Sequence, residues 1–95
     1  MMKKVEKIIC QHPFVIRCFF NNGEERLLNL EDVLDRKQKF AKKIFKDNVF
    51  KEAKVGSFGQ VYWENIAEIK TLEGKMEPCE YDLSPEFVYM NSQPV

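Results

Sequence analysis

Apolar residues fall in a hairpin-like pattern most clearly over residues 14–30, FVIRCFFNNGEERLLNL, and this stretch predicts a β-hairpin against which the rest of the chain packs. A three-residue loop of Asn21, Asn22 and Gly23, with Gly23 in the left-handed conformation, pairs Phe20 with Glu24, Cys18 with Arg26, Ile16 with Leu28 and Phe14 with Leu30. That register collects one apolar face. A two-residue loop centred on Asn22 and Gly23 would instead pair Phe20 with Glu25 and Ile16 with Asn29, scattering apolar side chains over both faces, so the three-residue loop is expected.

Residues 5–10 read as a preceding strand, with Ile8 and Ile9 facing opposite sides and Pro13 separating it from the hairpin. These strands need cover, because Phe14, Ile16, Phe20, Leu28 and Leu30 would each forgo about 1.5–3 kcal/mol of burial if left in water. The following segment carries helical signals: Asn29 as N-cap, Glu31 and Asp32 where the helix dipole favours acids, and Leu30, Val33, Leu34, Ala41, Ile44 and Phe45 on a stripe broken at Lys37. One bent helix or two short ones fit, and either ends near Asp47 and Asn48. Residues 50–55 and 60–63 flank the turn Gly56-Ser57-Phe58-Gly59 as a second hairpin, with Val61 and Trp63 on one face and Tyr62 on the other. Trp63 is expected to anchor the core with its indole N–H at a solvent-facing edge. Residues 66–72 suggest a short helix, 73–75 a turn and 77–83 an extended segment. Ser84 and Pro85 then start a helix that carries Phe87 and Val88 inward, and residues 91–95 are expected to fray.

The fold class expected is therefore a small α+β domain: an antiparallel sheet built from two hairpins and an N-terminal strand, covered by one or two helices, with a short C-terminal helix. Ninety-five residues, 44% hydrophobic and including eight Phe, suffice for a single domain with one core. The longest apolar runs, 14–16, 18–20 and 87–90, fall far short of the roughly 20 residues of a membrane span. The N-terminal stretch has only Ile8, Ile9 and Cys10 as an apolar run, unlike a secretory signal, so a soluble cytoplasmic protein without a membrane partner is expected.

Net charge is zero but unevenly placed: residues 1–46 carry eleven Lys or Arg against six acids, and residues 47–95 carry four against nine. Arg36, Lys37, Lys39, Lys42, Lys43 and Lys46 cluster on the predicted helical segment, as a solvated face or a phosphate-binding one. Neutral overall charge and the acids Glu31, Asp32, Asp35 and Asp47 weigh toward the solvated face. Cys10, Cys18 and Cys79 match neither a disulfide framework nor a paired zinc signature, and Cys10 with the single His12 falls short of a four-ligand site. Buried, reduced thiols are the expectation. GSFGQVY at residues 56–62 superficially resembles a kinase glycine-rich loop, but Lys54 stands where its first glycine belongs and only 33 residues follow Tyr62. No base and nucleophile pair is evident; Ser57 and Ser84 belong to a turn and a cap, and Glu80 and Asp82 to the wet side of a strand.

Taken in order, these elements resemble the small bacterial family called domain of unknown function 2442. Gly23, Asn29 with Leu30, Phe45 with Asp47, Phe50, Trp63 with Asn65, and Asp82, Leu83, Pro85, Glu86, Val88 and Tyr89 take the places of its motifs. Asn29 replaces the usual acid, Phe45 stands for a leucine, and sixteen residues, 66–81, separate Asn65 from Asp82 where typical members have very few. The resemblance implies a small α+β domain without established enzyme activity, whose motif positions determine the fold. It also implies a binding partner, since members are often encoded beside another small uncharacterised protein in suspected toxin and antitoxin pairs. Some relatives add a helix-turn-helix, which this chain is expected to lack.

The function expected is a non-enzymatic protein-interaction module with no cofactor and an unidentified protein partner, self-association remaining open. Val61, Trp63, Phe87 and Tyr89 are the candidate contacts wherever they are exposed. The alternative is a nucleic-acid-binding or regulatory accessory protein using Arg36, Lys39, Lys42, Lys43 and Lys46.

Overall fold

The computed structural model describes residues 2–95. Its first sheet is built on the expected ribbon: β1 (Val5–Gln11) runs antiparallel to β2 (Val15–Phe20), which pairs with β3 (Glu25–Asn29). Cys18 faces Arg26 and Ile16 faces Leu28, the register of the three-residue loop. Gly23 closes that loop at φ +88°, its N–H donating to the Phe20 carbonyl at 3.0 Å. Ile16, Cys18, Phe20 and Leu28 consequently share one face and are buried.

The covering segment is shorter-pieced than its apolar stripe suggested. Of the two forms expected, two short helices form, α1 (Leu30–Val33) and α2 (Ala41–Ile44), and a further one, α3 (Asp47–Phe50), begins where helix was expected to stop. Residues 35–39 are all polar and exposed, so a continuous helix there would have nothing to bury. Asn29 caps α1 as expected, its side chain accepting the Glu31 N–H at 3.1 Å. Leu30, Ala41, Ile44 and Phe50 reach the core.

A second sheet follows, of order β4 (Lys54–Val55), β5 (Val61–Lys70) and β6 (Met76–Leu83), so the strands divide between two sheets where one was expected. Both sheets contribute to one core: Val61, Trp63, Ile66 and Leu83 pack with Val5, Ile16, Phe20 and Leu28, and the Val5 N–H donates to the Gly59 carbonyl at 3.1 Å between them. The helix expected over residues 66–72 is absent because β5 continues to Lys70. Between Trp63 paired with Tyr81 and Ala67 paired with Cys79 the register shifts, and Asn65 takes φ +59° there. This bulge changes the phase of alternation, turning Ile66 rather than Asn65 toward the core.

Trp63 is 1% exposed, and its indole N–H meets no solvent edge; it donates to the Phe50 carbonyl at 3.1 Å. Carbonyls in the last turn of a helix lack intrahelical partners, so the end of α3 satisfies the ring. Ser84 caps α4 (Pro85–Asn91) by accepting the Phe87 N–H at 3.1 Å, with Pro85 at the helix start. The tail expected to fray is paired here: β7 (Gln93–Pro94) joins the first sheet beside β3, and the Val95 N–H donates to the Glu25 carbonyl at 3.1 Å. No helix among the described residues is long and apolar enough to cross a membrane.

Candidate docking surface

Beyond the bulge, residues 67–79 form a two-stranded ribbon that no third strand flanks, because β4 pairs only with Val61 and Tyr62. Its turn is held by the Thr71 N–H donating to the Lys75 carbonyl at 2.8 Å and by Gly74 at φ +83°. The tip is apolar and in water: Ile69 is 58% exposed, Met76 54%, and Leu72 fully. Ile69 pairs with Glu77 and Lys70 with Met76, so Ile69 and Met76 point to opposite faces with Leu72 at the apex. The result is a knob with apolar groups on several sides, flanked by Lys70 and Lys75.

At the other end of β6 lies an open groove of about 600 Å³, between the α1–α2 connection, the end of β6 and the start of α4. Val33, Leu34, Leu83 and Phe87 supply its apolar lining, and Asp35 and Asp82 its charge. The connection is ordered locally: an Asp35 carboxylate oxygen accepts the Lys37 N–H at 2.8 Å, the Asp35 carbonyl accepts the Gln38 N–H at 3.0 Å, and the Tyr81 hydroxyl donates to Gln38 Oε1 at 3.4 Å. Burial raises the Tyr81 phenol above its ordinary value, so it remains a donor at neutral pH. Neither Asp35 nor Asp82 is in an ion pair among the described residues.

The sequence-predicted contacts separate on this geometry. Val61 and Trp63 are core residues at 0% and 1% exposure, unavailable to a partner because the inward face of β5 carries them. Phe87, half-buried, lines the groove. Tyr89 is engaged internally: its hydroxyl donates to Glu24, its ring meets Phe20 edge-on at 5.2 Å, and Lys3 and Arg26 lie over it at 4.0 and 4.3 Å. Arg26 also donates to the Ser92 hydroxyl and carbonyl at 2.9 and 2.7 Å, fastening the C-terminal segment to the first sheet.

The basic residues do not form one helical face, since α1, α2 and α3 are separate turns. Arg36 pairs with Glu31 at 3.4 Å and lies over the Phe45 ring at 4.5 Å. Lys43 donates to the Ile66 carbonyl at 3.3 Å and neighbours Glu68 at 4.0 Å. Lys39, Lys42 and Lys46 remain exposed.

Other candidate chemistry is occupied by structure. The glycine-rich turn spends its donors on itself: the Gly56 N–H goes to the Gln60 carbonyl, the Gly59 N–H to the Gly56 carbonyl and the Phe58 N–H to Gln60 Oε1, which leaves those amides no phosphate to cradle. Cys10 donates to the Phe50 carbonyl at 3.7 Å and its thiol is raised by burial; Cys18 is pushed up to about 12, by burial first and by Cys10 second. Thiols held this way are poor nucleophiles. His12 lies 3.8 Å from Asp47, and among the described residues no group of three or more His, Cys, Asp or Glu could hold a metal ion.

The apolar tip was missed in the sequence because Ile66, Ile69 and Leu72 recur at three-residue spacing, which mimics a helix face. Gly74 between Leu72 and Met76 was the contrary signal, marking a hairpin turn. Comparison of the chain with family models, with curated proteins and with solved structures found no match.

Proposed function

We propose that the chain is a non-enzymatic protein-interaction module that docks a partner through the apolar tip of residues 69–76 and the groove beside Phe87. The observation that carries this reading is the tip itself: Leu72 stands fully in water beside exposed Ile69 and Met76. Each such side chain forgoes about 1.5–3 kcal/mol that enclosure would recover. Kinship with domain of unknown function 2442 is part of the proposal, supported by Gly23 at the hairpin turn, Leu30 and Trp63 in the core, and Pro85 at the start of α4. On that reading the ribbon occupies the segment in which this chain departs from the family pattern, and the role of one member of a two-protein pair is proposed with it.

Capture from the native cell extract tests the proposal, with Leu72→Glu as the matched control. A protein retained by the native chain and lost with the variant is the expected result; equal retention by both, or recovery of nothing at physiological salt by a chain that is also monomeric, overturns it. The alternative reading, nucleic-acid binding, rests on exposed Lys39, Lys42 and Lys46. It requires binding of DNA or RNA that weakens steeply with salt and with Lys42→Glu, and absence of any shift at low salt removes it.

A further inference from the structure

We infer that the occupant of the groove is the ribbon tip of a second copy of this chain, an assignment that rests on the docking role of these two features. The tip carries apolar groups at its apex and on both faces, and such a knob is enclosed by a groove better than by a flat surface. The groove offers an apolar lining of Val33, Leu34, Leu83 and Phe87. Charge matches as well. Lys70 and Lys75 flank the tip, neither in an ion pair among the described residues, and the groove presents Asp35 and Asp82, likewise unpaired. Glu73, the acid of the turn, has Lys37 and Lys39 as opposite charges, which flank groove residue Gln38 in the chain.

Within one copy these parts cannot meet. Met76 and Leu83 are the two ends of β6, and seven residue steps of strand hold them roughly 23 Å apart. Two copies related by a two-fold axis exchange tips reciprocally, each groove being filled by the other's ribbon, and the assembly closes at a dimer. Pairing by strand addition along β6 is disfavoured, since Pro78 has no N–H to donate. Side-chain insertion is the mode that remains.

Sedimentation equilibrium of the full chain over a concentration series tests this. The native chain should show a monomer–dimer equilibrium, and Leu72→Glu, which alters a side chain already in water, should weaken it at least about tenfold with an unchanged circular-dichroism spectrum. Lys75→Glu and Asp82→Lys should each weaken the dimer alone and recover it when mixed, because every tip then meets a groove of opposite sign. A native chain monomeric to about 1 mM, or a dimer indifferent to all three substitutions, overturns the inference. A monomer that nonetheless retains a different protein through Leu72 also overturns self-pairing, while the docking role of the tip stands.

Discussion

At the scale of single residues, two glycines with the same left-handed backbone differ sharply in their surroundings. Gly23 has φ +88° and open space where a Cβ would sit, whereas at Gly59, φ +79°, a Cβ would lie 2.6 Å from the Lys4 Cα. Alanine at Gly23 therefore meets the backbone penalty alone, about 1–2 kcal/mol. At Gly59 it must also displace the start of β1, adding about 1–3 kcal/mol of overpacking. Denaturant unfolding should accordingly show Gly59→Ala as the more destabilised by that margin, and equal losses would mean that Lys4 yields freely. The turn around Gly59 was readable as a hairpin from Gly56 and Gly59; its clasp by a residue 55 positions earlier was not, since no local pattern encodes a long-range approach. Trp63 makes the same point. Its burial followed from alternation with Val61, while its acceptor, the Phe50 carbonyl, depended on a helix end whose position the stripe of apolar residues did not locate.

Among the elements, α4 and β7 depend on a polar tether. Glu24 accepts from Tyr89, Asn22 and Arg26, and those bonds, the one from Tyr89 foremost, hold its carboxyl below the ordinary glutamate value. Reciprocally, donating to Glu24 raises the Tyr89 phenol above its own. A carboxyl depressed in the folded state stabilises fully above its unfolded value, and that contribution is lost as pH falls through the lowered one. A raised phenol stabilises below the ordinary tyrosine value, near ~10, and its contribution is lost as pH rises through the raised one. Protection of the Val95 amide, which bonds the Glu25 carbonyl, should thus fall at both extremes when exchange is measured against the intrinsic rate at each pH. Glu24→Gln should abolish the acid step, and Tyr89→Phe should abolish the alkaline step and move the acid step to higher pH. Unchanged exchange profiles would show that β7 is held by its backbone pairing alone. Sequence patterning gave the cap at Ser84 and the inward Val88, but the tail was expected to fray because its anchor, Arg26 on Ser92, links positions 66 residues apart.

For the whole molecule, shape and stability should divide at the bulge around Asn65. The radius of gyration is 13.7 Å, with extents of 44 × 30 × 19 Å. A compact domain of this length has about 12 Å, so the molecule is more extended than that. On the core side of the bulge, Val61, Trp63, Ile66 and Leu83 are buried; beyond it, Ile69, Leu72 and Met76 are in water. A two-stranded ribbon with so little apolar burial is marginal by itself, so its hydrogen bonds should open locally without unfolding the body. Amides of residues 68–70 and 76–77 should exchange through an opening much cheaper than global unfolding, while those of Ile16, Cys18 and Leu28 report the global value. If tips fill grooves between copies, the ribbon's protection must rise with protein concentration toward that of the core, and Leu72→Glu must cancel the rise. Ribbon amides already as protected as the core in dilute solution would mean that residues 67–79 belong to the cooperative body.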